Sequence, residues 1–176
     1  AFLRSSAKPF QVLPFVESGG VEHYNYTQRE LSLSCASHET SQMHLDAVQV
    51  LQQKVGVEER YLQCGPHLPG DAKKLREVIQ QNILPTANFN NCSGKHSGFV
   101  CVGCMMAQGR DLAAFMKGYV QPDHPVMREV TASLQAATGY DLSRTARGTD
   151  GCSIPTYAIP LRHLAHAFAR VATGVG

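Results

Sequence analysis

Asn90-Asn91-Cys92-Ser93-Gly94-Lys95-His96-Ser97-Gly98-Phe99 brings soft, basic and polar side chains together in ten residues. Beyond it, Phe99, Val102 and Met106 recur at helical spacing while Val100, Cys101 and Cys104 thicken the same face. The pattern predicts a buried helix from about Lys95 to Gln108, ended by Gly109. Cys92 and Lys95 are three residues apart, so if the helix starts near Gly94, thiol and amine converge on one side of its first turn, where unpaired amides also favour anions. A thiolate binds borderline metals such as zinc, whereas a lysine ligates only as the neutral amine. A lone cysteine is more often a small buried hydrophobe and a lone lysine a solvated charge, and both readings stay open on spacing.

Working outward, the 176 residues suit one domain, and 43% apolar with 17% charged residues is the make-up of a soluble globule. The net charge is +2 with no basic run, so neither a nucleic-acid track nor a membrane-binding face is expected. No apolar stretch approaches the roughly 20 residues of a membrane span, and no basic-then-apolar leader opens the chain. The six irregularly spaced cysteines favour reduced thiols over a disulfide framework, hence a cytoplasmic protein.

Upstream, Ser5 and Lys8 have the Ser-x-x-Lys spacing, in which one helical turn holds an amine beside a hydroxyl and a neutral lysine can take its proton. The competing reading of Ser5 or Ser6 is an N-cap, and Pro9 disfavours the helical region at Lys8. Thr27-Gln28-Arg29-Glu30 predicts a capping box, and the short helix after it delivers Ser37-His38, a proton relay or a cap. Val48, Leu51 and Val55, stopped by Gly56, predict one amphipathic helix, and Leu75, Val78 and Ile79 another. Cys64 to Gly70 reads as a structural loop, and Cys101-Val102-Gly103-Cys104 as core packing despite its Cys-x-x-Cys spacing.

Downstream, Asp111 caps a helix with Leu112, Phe115 and Met116, and a second helix carries Val126, Val130, Leu134 and Ala137 up to Gly139. Thr149-Asp150-Gly151-Cys152-Ser153-Ile154-Pro155-Thr156 is held non-helical by glycine and proline. Cys152 can add a second thiolate to Cys92 and Lys95, giving three ligands and an open position, with Asp150 placed to hold an amine or a metal-bound water. A tight turn with a buried thiol is the alternative. The last helix shows Leu161, Leu164, Phe168 and Val171 on one side and runs out at Thr173 to Gly176.

Phe2-Leu3-Arg4-Ser5-Ser6-Ala7-Lys8-Pro9-Phe10-Gln11, Cys35-Ala36-Ser37-His38, Cys64-Gly65-Pro66-His67, Asn90 to His96, and Asp150-Gly151-Cys152 with Pro155-Thr156 together resemble the Rhizobium-type (class 3) L-asparaginase family, asparaginase II. The resemblance implies a serine-β-lactamase-like fold, of which residues 1–176 would be a single, incomplete domain: the predominantly α-helical portion of an α/β architecture, with few strands because family sheet segments at both ends are missing. It implies a small-molecule substrate, L-asparagine, hydrolysed to L-aspartate and ammonia. Ser5, Lys8 and Ser37 match the catalytic positions, Arg4 and Asp150 fall in substrate-binding blocks, and Cys92, Lys95 and Cys152 match the zinc ligands. A homodimer is a further expectation.

The family's second lysine would lie beyond Gly176, which leaves Ser37 without a visible partner. Glu39-Thr40-Ser41-Gln42-Met43 also replaces a Gly-Glu-Pro-like stretch, and Ser153 stands where glycine is common. Against the amidohydrolase stands an inactive remnant that keeps a helical scaffold and a zinc site. A penicillin-binding or β-lactamase-like acyl enzyme comes third, lacking Ser-Asp-Asn and Lys-Thr-Gly signals.

Overall fold

The fold is described from a computed structural model, which covers residues 1–174. A 3-10 turn over Arg4–Ala7 runs into α1 (Lys8–Gln11), α2 (Leu13–Glu17) and α3 (Gly20–His23), followed by α4 (Gln28–Ser34), α5 (Gln42–Val55) and α6 (Ala72–Gln80). Then come α7 (Ser93–Ala107), α8 (Leu112–Met116) and α9 (Pro125–Thr138), a hairpin of β1 (Arg147–Thr149) and β2 (Pro155–Tyr157), and α10 (Leu161–Thr173). The molecule is predominantly helical, and among the described residues the named strands form one two-stranded antiparallel sheet, with Arg147 opposite Tyr157 and Thr149 opposite Pro155.

The central helix is α7, and it packs against α2, α4, α5, α8 and α9. Such a helix must be apolar on every side. Phe99, Val100, Cys101 and Val102 are all buried, as are Lys95 and His96 in its first turn. Its glycines set how closely the neighbours approach. A Cβ on Gly94 would stand 2.6 Å from the Leu33 carbonyl oxygen, and one on Gly103 would collide with the Met116 sulfur, so α4 and α8 reach distances that no larger residue allows. A second core cluster gathers Phe10 of α1, Leu134 of α9, Tyr157 of β2 and Ala167 of α10.

Local chemistry explains the helix ends. Thr27 and Glu30 form the expected reciprocal capping box on α4, with the Thr27 amide donating to the Glu30 carboxylate at 2.7 Å. Asp71 accepts from the Lys74 amide at the start of α6, and Asp111 from the Ala113 amide at the start of α8. Gly56 and Gly139, both left-handed, end α5 and α9.

Two expectations change. Pro9 leaves Lys8 helical (φ −56°, ψ −41°), because the chain is already turning through Arg4–Ala7 and proline sits in the opening turn of α1, where its missing N–H is tolerated. The apolar stripe of α10 is only partly covered: Leu161, Phe168 and Val171 are exposed, while Leu164 packs with Ala167 on the second core and Phe168 lies edge-on to Phe10. The expected run-out extends through Gly174, and its Val175-Gly176 portion lies outside the described residues.

Candidate active site

Lys8 is 1% exposed. Its amine lies 2.8 Å from the Ala36 carbonyl oxygen and 2.6 Å from Ser37 Oγ, and Ser37 Oγ lies 3.0 Å from Ser5 Oγ. Ser5 and Ser37 are exposed, so the chain of contacts runs from solvent inward. Ser37 thus has a lysine partner within the described chain, and Lys8 touches Ser37 rather than Ser5. Burial holds the Lys8 amine below its ordinary value; the Cys92 sulfur opposes this and the Lys95 charge reinforces it. A neutral Lys8 amine donates to the Ala36 carbonyl and accepts from Ser37, which in turn accepts from Ser5. Protonation of Lys8 reverses both hydroxyl bonds.

The second group lies at the start of α7. Cys92 is its N-cap, and the Cys92 amide donates to Asn90 Oδ1 at 2.8 Å. Asn90 Nδ2 donates to the carbonyls of Cys64 and Gly65 at 2.9 and 3.1 Å, so the Cys64 loop braces the residue that aims Cys92. Lys95, 0% exposed, places Nζ 3.1 Å from Cys152 Sγ. The Cys152 thiol donates to the Cys92 sulfur, and this bond, with the charges of Lys95 and Lys8, holds Cys92 at about 5 despite a burial effect that opposes it. Cys152 is pushed above its ordinary value by the same bond and by burial.

Cys92 and Cys152 influence each other and Lys95 Nζ touches the Cys152 sulfur. As two thiolates and a neutral amine, the three side chains would be a donor set of the kind zinc accepts, with one position open. No cluster of three His, Cys, Asp or Glu exists among the described residues, so such a site depends on the lysine as third ligand.

Two cavities are lined by residues of this group or their neighbours. Arg4, whose backbone is left-handed at φ 47°, and Asp150 line one of about 330 Å³ with Phe2 and Thr156. Asp150 Oδ1 accepts from the Gly151 amide at 2.7 Å, which orients the carboxylate. The other, about 230 Å³, is a groove between α4 and α5 that includes Ser37. A larger cavity of about 420 Å³ between α2, α9 and α10 contains none of these groups.

The sequence matches the family model of L-asparaginase II over residues 1–175. The chain belongs to the L-asparaginase II family. It is accordingly an asparaginase-type amidohydrolase acting on a small-molecule amide. No curated protein matches the chain. Among the described residues no helix is long and apolar enough to cross a membrane.

Within this asparaginase II chain, Ser153, where glycine was expected, and Thr40, in the stretch that replaces Gly-Glu-Pro, both have left-handed backbones, at φ 73° and 62°. Glycine adopts that region freely and other residues do so at a cost of roughly 1–2 kcal/mol. Thr40 gains a compensating bond from its hydroxyl to the Phe89 carbonyl at 3.0 Å.

His38 plays a part that sequence reasoning left between relay and cap. Its Nδ1 accepts from the Thr40 amide at 3.2 Å, which puts the proton on Nε2, 2.9 Å from Ser93 Oγ. Ser93 in turn donates to the Asn88 carbonyl at 3.1 Å, and the His38 amide donates to the Asn91 carbonyl at 3.1 Å. His38 is therefore a strut between the Ser37 loop and the first turn of α7. Burial, followed by His44 and Lys8, lowers it to about 4. The Cys-x-x-Cys pair is core material: Cys101 lies 3.2 Å from the Tyr26 hydroxyl, and burial pushes its thiol up to about 12.

Proposed function

We propose that this chain hydrolyses L-asparagine with Ser5 as nucleophile, Ser37 as proton relay and Lys8 as base, in the Rhizobium-type (class 3), serine-β-lactamase-like branch of its family. The observation that carries the reading is the contact chain Ser5, Ser37, Lys8, which links an exposed hydroxyl to a buried amine below its ordinary value. A neutral amine at the inner end draws a proton from Ser37 as Ser37 draws one from Ser5. Ser5 Oγ then bonds to the side-chain amide carbon. As the C–N bond breaks, the proton returns through the relay to the leaving nitrogen, and ammonia departs. Water, activated by the same base, cleaves the aspartyl ester and restores Ser5.

Arg4 and Asp150 complement the substrate's α-carboxylate and α-amino group from the walls of one cavity. Cys92, Lys95 and Cys152 would hold zinc, Lys95 after giving up its proton. When bound, zinc supplies an electrophilic centre that orients one end of the substrate or fixes the fold around it. Free thiols at all six cysteines favour a cytoplasmic setting, and the exposed apolar residues of α10 favour a homodimer.

The test is acid quenching during turnover of asparagine, followed by peptide mass analysis. An aspartyl adduct on the peptide containing Ser5 is expected; steady turnover with that peptide unmodified and Ser5→Ala fully active would overturn the assignment.

A further inference from the structure

Ammonia needs no pocket, yet Ser37 lines a groove, and Arg4, the chain neighbour of Ser5, lines a second cavity. If the cavity of Arg4 and Asp150 takes the aspartyl half of a substrate, the groove that includes Ser37 is the one left for a group carried by the departing nitrogen. That groove is not a featureless gap. Arg29 and Leu33 line it from α4, Ala36 from the segment that follows, and Met43, His44 and Ala47 from α5. Arg29 has no carboxylate partner among the described residues. His44 Nδ1 is engaged by the Ser41 amide and hydroxyl at 3.3 and 3.0 Å, which leaves Nε2 as its free nitrogen. Leu33, Met43 and Ala47 supply apolar wall.

The geometry points to a second substrate class: β-aspartyl amino acids, in which the amide nitrogen belongs to an apolar amino acid whose carboxylate meets Arg29. This inference rests on the amidohydrolase reading above. The groove, about 230 Å³, is large enough for one amino acid. Arg29 lies in the first turn of α4 and Ser37 beyond its last, and both line the groove, so an acid group at one end meets the guanidinium while the scissile nitrogen lies at Ser37. The chemistry balances as for asparagine. The Ser5 oxygen–carbon bond forms, the carbon–nitrogen bond breaks, and the proton carried by the relay leaves on the free amino acid in place of ammonia. Water then releases aspartate.

The probe is β-aspartyl-leucine, with leucine release measured beside ammonia release from asparagine. Equal amounts of leucine and aspartate are expected from the unaltered chain. In Arg29→Gln the ratio of kcat/KM for the dipeptide to that for asparagine should fall about tenfold, through KM, with most of it restored in Arg29→Lys. Cleavage of asparagine without cleavage of the dipeptide would overturn the inference and leave the amidohydrolase reading standing. So would an equal loss on both substrates in Arg29→Gln. Failure on both substrates by the unaltered chain would remove both readings.

Discussion

Lys8 and Lys95 are both all but sealed from water, yet they meet different partners. Lys8 contacts an exposed hydroxyl and a carbonyl oxygen; Lys95 contacts the sulfur of Cys152, itself 2% exposed, and lies 5.7 Å from the centre of the Phe99 ring. The first arrangement leads outward through two hydroxyls to a cavity edge, which suits proton traffic. The second is closed in beside a buried thiol, with a second thiol within reach of its charge, which suits holding an ion or a turn in place. Burial is common to both, and the partner decides the chemistry.

The comparison breaks most readily at Lys8. Lys8→Met keeps the apolar stem but removes the amine that touches Ser37, and asparagine hydrolysis should fall by about 10³-fold or more, while Ser37→Ala should lose about 10²-fold. Ammonia release by each purified variant checks the order, and an unaffected Lys8→Met would make both lysines structural. Next comes Cys152→Ala. It should abolish zinc retention and return the Cys92 thiolate toward the ordinary thiol range, since the Cys152 bond is the leading cause of its depression. Metal analysis and the pH dependence of Cys92 alkylation read the two effects separately.

A smaller effect sharpens the link between the two groups. His38 drops from 6.5 to about 4 on folding. Above 6.5 both folded and unfolded chains hold it neutral and its full contribution is present. Between 6.5 and 4 only the unfolded chain binds the proton, so stability falls as pH falls, by up to one proton's worth per pH unit. Urea unfolding at pH 7 and pH 4.5 should show this loss, reduced in His38→Gln. Smallest is Ser153→Gly, which relieves the left-handed strain and should raise stability by about 1 kcal/mol, partly offset by the flexibility of glycine. Thr40→Gly should gain less, because it also loses the bond to Phe89.

Much of the scaffold was legible because it rests on local rules. The capping box at Thr27, the glycine stops at Gly56 and Gly139, and the buried run from Phe99 to Val102 all follow from neighbours in sequence. Residues of the site could be picked out because the unusual types stand in short blocks, but their partners could not. Lys8 reaches Ser37 rather than Ser5 because the segment that follows α4 brings Ala36 and Ser37 to its amine, a long-range contact that the three-residue spacing of Ser5 and Lys8 conceals. Asn90 and His38 were missed as braces for the same reason: each acts on a loop dozens of residues away. The α10 stripe shows the limit of periodicity, which marks an apolar face without saying how much of it this chain covers.

The most direct test of the division between a reacting hydroxyl pair and a holding thiol pair is to measure ammonia release from asparagine and zinc content together, on the intact chain and on Ser5→Ala. The account predicts that Ser5→Ala keeps its zinc and loses turnover. Equal rates in the two proteins would contradict it.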